Sequence, residues 1–145
     1  MQSFQFRLER ILSWRRREFE AEEARLGPLV AEQKRLEAAR QEILAAWDRA
    51  GKELLARDRV DGGDLAALGG FRVRLERDLE TNARERREAA ERLAAQQARV
   101  REAHRRVRLL EKLRHRKLEE WRVAWNRELE NFAGEAFLAR WRAEG

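Results

Sequence analysis

The chain has 145 residues, 43% hydrophobic and 41% charged, more charge than one compact core accommodates. It has no cysteine and no tyrosine, and its histidines are His104 and His115, so a disulfide framework, a thiolate or multi-histidine metal site and a cysteine nucleophile are excluded. Leu, Ala, Arg and Glu dominate and Pro28 is the single proline, a composition of long helices that predicts an all-α protein.

The chain opens on MQSFQFRLERILSWRRREFE. A secretory signal would put its charge before an unbroken apolar segment, but Arg7, Glu9 and Arg10 interrupt this one and Arg15, Arg16 and Arg17 follow it. A mitochondrial transit peptide would be poor in acids, and Glu9, Glu18, Glu20, Glu22 and Glu23 crowd here. The run Ile43–Trp47 is far short of the roughly 20 apolar residues of a membrane span, so the protein is expected to be soluble or peripheral.

Steps of four and three from Leu8 give a stripe: Leu8, Leu12, Arg15, Phe19, Glu22, Leu26, Leu29, Gln33, Leu36, Arg40, Ile43, Trp47, Ala50 and Leu54. Most are apolar, and alternation of three and four keeps one narrow face toward a partner helix. The stripe predicts a first helix over about residues 3–58, kinked where Pro28 removes a backbone donor. The segment ARDRVDGGDLAALGGFRV follows, with Gly62, Gly63, Gly69 and Gly70 each costing a helix about 1 kcal/mol. It predicts a reversal over about residues 59–69, centred near residue 64.

A second stripe reads Leu68, Arg72, Leu75, Leu79, Asn82, Arg86, Ala89, Leu93, Gln96, Val100, Ala103, Val107 and Leu110. It continues with a register change near residues 111–117 through Leu113 or Leu118 to Trp121, Trp125, Leu129 and Phe132. The second helix is expected over about residues 70–141. Neither stripe is buried alone, and a short turn makes the helices antiparallel neighbours, so the expected fold is one domain, residues 1–145, a long antiparallel two-helix coiled-coil hairpin.

Numbering outward from the turn brings Phe4 and Phe6 near Trp121 and Trp125, an aromatic clamp on helix ends that would otherwise fray. It also superposes Arg7, Arg10, Arg15, Arg16 and Arg17 on the segment holding Arg105, Arg108, Lys112, Arg114, Arg116 and Lys117, a basic collar suited to an acidic partner. The competing reading of that collar is a solvated coiled-coil face. Trp47, Trp121 and Trp125 fall on the stripes and are expected in the core, whereas Trp14 and Trp141 fall off them and are interface candidates. No phosphate loop appears, Ser3, Ser13 and Thr81 are the only hydroxyls, and a rod is expected to offer no pocket that shifts a carboxylate pKa. The expectation is a non-enzyme with no catalytic residue, metal or cofactor.

The segments FQFRLERILSWRRRE, LAALGGFRVRLERDL, RRVRLLEKLRHRKLEEW and NRELENFAGEAF, in this order and at this length, resemble the FliJ family of the bacterial flagellar export apparatus. The resemblance implies a cytoplasmic antiparallel coiled coil, peripheral at the inner face of the membrane through the export apparatus. It implies a stalk whose open end, with the basic collar, enters the ring of a FliI-like export ATPase. The half nearer the turn would contact a FlhA-like export-gate protein through Leu36, Arg40, Ile43, Trp47, Phe71, Leu75, Asp78 and Asn82, and export chaperones would also bind. Gly134 and Glu135 stand where the family carries an Asp–Glu pair, and Pro28 departs from its pattern. The equivalent stalk of a virulence type III secretion system is the alternative. A basic coiled coil binding nucleic acid is disfavoured, because 27 acids lie among the 33 bases and no stable nucleic-acid binding is expected. A hairpin of this kind is a monomer.

Overall fold

The computed structural model describes residues 2–145, and among them there is no strand. Three helices follow in chain order, α1 (Glu9–Ala24), α2 (Leu26–Leu55) and α3 (Gly62–Glu144), with α1 and α2 packed against α3. The chain divides into two compact units, Met1–Ala21 with Val100–Gly145, and Glu22–Arg99.

The single first helix expected over residues 3–58 is two. Pro28 has no N–H for the carbonyl of Ala24, four residues back, and its ring crowds that carbonyl. α1 therefore stops at Ala24, the Arg25 N–H bonds the Glu22 carbonyl at 3.2 Å, and α2 restarts at Leu26 with Pro28 in its first turn, where a missing donor costs little. Arg25 keeps helical dihedrals, φ −72° and ψ −14°, so the interruption is one residue wide. Residues 2–6 are not helical either. The Gln2 carbonyl accepts the Trp121 indole N–H at 3.1 Å, and Phe4 lies 6.2 Å from the Trp121 ring.

The reversal occupies residues 56–61 rather than 59–69, and α3 begins at Gly62 and reaches Glu144 rather than spanning 70–141. All four glycines lie inside it. The reason is a reciprocal cap: the Asp64 N–H donates to Asp61 Oδ1 at 2.8 Å and the Asp61 N–H to Asp64 Oδ2 at 3.2 Å. Such a box satisfies donors that a helix start leaves without partners. Arg57 adds an ion pair to Asp64 at 3.0 Å. Gly69 and Gly70 meet no neighbour within 4 Å of a would-be Cβ; their helix cost, about 1 kcal/mol each, is carried by half-buried Leu68, Phe71 and Arg72 beside them.

In the Glu22–Arg99 unit Glu22 meets Gln96, Leu36 meets Asn82 and Trp47 meets Arg72, so the contacts descend along α3 as they climb from the end of α1 through α2. In the other unit Glu9 pairs with Arg114, Arg16 with Glu111, and Phe19 packs on His104. The pairs of the Glu22–Arg99 unit centre near residue 59, within the turn at 56–61, and those of the other unit centre near residues 62–64, close to the point taken from the glycines.

Every position of both stripes, Leu8 to Leu54 and Leu68 to Leu110, is buried or half-buried. Leu12 and Leu36 are fully covered, and Leu75, Ala89, Ala103 and Val107 complete the apolar core, where the two alanines let the facing helix come close. Asn82 and Gln96 are buried too, and each hands its amide to a carbonyl of the opposite helix, Leu36 at 2.9 Å and Glu22 at 2.9 Å. The second bond falls at the Pro28 interruption. Beyond Leu110 and as far as Trp125 the covered positions are Leu113, Arg114, Leu118, Trp121 and Trp125, after which Leu129 and Phe132 are exposed and leave the stripe.

Candidate functional site

All eleven collar bases belong to the unit formed by Met1–Ala21 and Val100–Gly145. That unit holds 17 Lys and Arg against 11 Asp and Glu, the other 16 against 16, which together make the chain's 33 and 27. The whole excess of +6 therefore sits on one unit.

The collar is of two kinds. Arg15 pairs with Glu18 at 2.8 Å, Arg16 with Glu111 at 3.3 Å, Arg114 with Glu9 at 3.0 Å, Lys117 with Glu120 at 3.2 Å and Arg105 with Glu102 at 2.7 Å. Two of these, Arg16–Glu111 and Arg114–Glu9, tie α1 to α3. Among the described residues Arg7, Arg10, Arg17, Arg108, Lys112 and Arg116 have no carboxylate within ion-pair distance, and neither does Arg101, which the expected contact set omitted. Arg101, His104, Arg105, Arg108, Leu109 and Lys112 line a shallow trough of about 320 Å³ on α3. Its signal in the sequence was the spacing of Arg101 from Arg105 and Arg108, four and seven residues on. Hydrogen bonds from Arg105, then the charges of Arg105 and Arg106, hold the Glu102 carboxyl down to about 2 against the desolvation that opposes them.

Trp121 stacks on Trp125 with rings 5.8 Å apart and 11° from parallel, and Phe4 tilts against Trp121 with the Arg114 guanidinium 5.5 Å from its centre. Phe6 is half-buried beside them. Phe4, Phe6 and Trp121, together with Leu8, Leu113, Arg7 and Lys117, line an open groove of about 730 Å³ at the non-helical N-terminal segment. Trp14 is 55% exposed, capped on one face by Arg15 at 4.6 Å, and Trp141 is 66% exposed.

The gate-contact set lies in the Glu22–Arg99 unit but is not one surface. Leu36, Leu75 and Asn82 are core, at most 7% exposed, and a partner could reach them only by parting the helices, so they are withdrawn as contact residues. Their place on the 3–4 stripes is the reason. Trp47 and Ile43 are half-covered, the Arg72 guanidinium lying 4.7 Å over the Trp47 ring in the room that Gly51 leaves. Arg40 pairs with Glu37 at 3.3 Å, Arg74 lies 5.7 Å over Phe71, and Asp78 is exposed.

Among the described residues no group of His, Asp and Glu is placed to hold a metal, and no helix is long and apolar enough to cross a membrane. Compared with protein-family models, with curated proteins and with solved structures, the chain matches none.

Proposed function

We propose that this chain is a non-enzymatic stalk of a flagellar-type protein export apparatus, an antiparallel two-helix coiled-coil hairpin whose basic end enters the ring of an export ATPase. The observation that carries the reading is the segregation of charge: the unit with the chain ends holds the whole +6, and the unit with the turn holds none. A solvated coiled-coil surface gains nothing from such bias, whereas a surface that meets acidic walls is steered to them. The two uninterrupted 3–4 stripes and the four sequence segments resembling the FliJ family support the same reading. An export-gate protein and export chaperones are the further partners, the gate contact falling to Arg40, Ile43, Trp47, Phe71 and Asp78. A virulence type III system would use the same geometry.

The test is to mix the chain with the flagellar-type export ATPase of its host and follow hexamer fraction and ATP hydrolysis. Both are expected to rise, and reversal of Arg7, Arg10 and Arg17 to Glu is expected to abolish the rise while helicity stays unchanged, since none of the three holds the fold together. No rise with the parent chain refutes the stalk reading.

A further inference from the structure

We propose that the outward face of α3 from Arg101 to Arg116 is a track for an acidic α-helix of a partner protein. It takes up part of the basic surface assigned above to the export ATPase and rests on that reading only for which protein supplies the helix.

Arg101, Arg105, Arg108, Lys112 and Arg116 recur at steps of four, three, four and four, so they stand in one row on one helix face, and all five are exposed. At about 1.5 Å per residue the row is roughly 22 Å long. The acids within that stretch are Glu102 and Glu111. Glu102 is engaged by Arg105 and Arg106, and Glu111 by Arg16. Neighbouring bases are consumed inside the unit: Arg106 by Glu18, Arg114 by Glu9, Lys117 by Glu120. Four of the five track bases have no carboxylate among the described residues, so the row is left charged where its neighbours are not.

The occupant follows from spacing and residue type. Bases one helical turn apart match carboxylates one helical turn apart, which another α-helix with acids at three and four supplies along its own face. Four of the five are arginines, whose forked donors take a carboxylate with two bonds. Leu109, 53% exposed in the trough, offers the one apolar contact beside the row. Single-stranded nucleic acid is disfavoured because the one ring lining the trough, the His104 imidazole, is already packed against Phe19 at 5.1 Å, and no Phe or Trp lines it for successive bases to stack on. Duplex DNA is disfavoured because α1 packs along this part of α3, and two adjacent helices, each about 10–12 Å across, exceed a major groove about 12 Å wide. A membrane surface needs a broad apolar face, and Leu109 alone does not make one.

The experiment uses the full chain and a labelled synthetic helical peptide of about 20 residues. It carries Glu at alternating steps of three and four with one Leu in register with Leu109, and binding is read by anisotropy at about 50 and 200 mM salt. A scrambled peptide of the same composition, a single-stranded oligonucleotide of equal charge and phosphatidylglycerol vesicles are the other probes. The helical peptide is expected to bind at least about tenfold more tightly than the scrambled one. The triple variant R101E/R108E/K112E is expected to lose at least about tenfold, with circular dichroism unchanged, while neutralising Arg25 and Arg35, which pair with Glu22 and Glu32 in the other unit, to Gln changes binding less than about twofold. Equal binding of the scrambled peptide overturns the proposal, as does triple-variant binding equal to the parent or tighter triple-sensitive binding of oligonucleotide or vesicles. The ATPase mixture supplies the second arm. Peptide binding lost in the triple variant with ATPase activation absent in the parent leaves the track standing and the export reading failed; ATPase activation by the parent with peptide binding unchanged in the triple variant does the reverse.

Discussion

Asn82 is the sharpest test of how the helices are held in register. Its side chain is 5% exposed, its Nδ2 donates to the Leu36 carbonyl at 2.9 Å and its Oδ1 accepts from Arg86 Nε at 2.9 Å. Truncation by Asn82→Ala removes a buried hydrogen bond worth about 0.5–1.5 kcal/mol net. The unfilled space adds about 1 kcal/mol, and the better helix propensity of Ala returns about 0.6 kcal/mol. The variant should therefore lose about 1–2 kcal/mol. Asn82→Leu is the telling partner, because it strands no group: Leu36, mid-helix, keeps its intrahelical bond and half-exposed Arg86 turns to water. A similarly branched apolar side chain on the seam should hold stability within about 1 kcal/mol of the parent or raise it, at the expense of specification. Urea unfolding followed at 222 nm measures both, and spin labels at positions 34 and 84 report the register. Narrow distances in the parent should broaden in the Leu variant. A Leu variant more than about 2 kcal/mol less stable, with register intact, would show that the amide stabilises the fold outright and refute the reasoning.

Four further outcomes follow. Gly69→Ala and Gly70→Ala should each raise stability by about 1 kcal/mol in the same urea assay, since no atom lies within 4 Å of the added Cβ and both positions are helical. Asp61→Ala should cost about 0.5–2 kcal/mol and loosen amide protection at Gly63–Leu65, because it removes the acceptor for the Asp64 N–H. Pro28→Ala should restore a donor to the Ala24 carbonyl and merge α1 with α2, seen as slowed hydrogen exchange at residues 25–29; unchanged exchange would mean that packing, not proline, breaks the helix. Because the Glu102 pKa is lowered from 4.5 to about 2, its pairing favours the folded chain above about pH 4.5 and is lost as pH falls toward 2. Its carboxyl carbon should titrate near 2 by NMR and return toward 4.5 in Arg105→Gln.

The long seams were legible because a 3–4 stripe has one physical meaning, a narrow face covered by another helix, and from Leu8 to Leu110 no stripe residue is exposed. Local backbone chemistry decided the places where the sequence misled. Counting glycines overstated the break at Gly62–Gly70; the Asp61 and Asp64 pair, three residues apart, was a cap in plain view and outweighs them. Pro28 was legible as a kink, but the one-residue interruption depends on Arg25 retaining helical dihedrals, which no pattern prints. Polar residues on the stripes divided by chemistry. Asn82 and Gln96 are short enough to bury and reach a facing carbonyl, while half-exposed Arg40 and Arg86 carry their charge to Glu37 and Arg72 lays its guanidinium over the Trp47 ring. Leu36, Leu75 and Asn82 were given two roles at once, seam and partner contact, and burial leaves room for the first alone.

The distribution of unpaired charge carries the argument from fold to partner. Leu12, Ala103 and Val107 are the only buried apolar residues among those described in the basic unit, so its core is slender. Self-repulsion among unpaired bases works against such a core. Pairs such as Arg114 with Glu9 offset part of that cost, and the fold gains nothing from leaving Arg101, Arg108, Lys112 and Arg116 unpaired while the acids one turn beyond Arg108 and Arg116 go to other bases, Glu111 to Arg16, Glu119 to Arg122 and Glu120 to Lys117. On Arg105 the same helix shows how easily an acid at the third preceding position neutralises a base, through Glu102. Positions 98, 105, 109 and 113, three residues before those four bases, hold Ala98, Arg105, Leu109 and Leu113 instead. Charge that the chain leaves uncompensated on an exposed, regularly spaced row belongs to the energetics of an encounter, and removing it should alter binding before it alters folding.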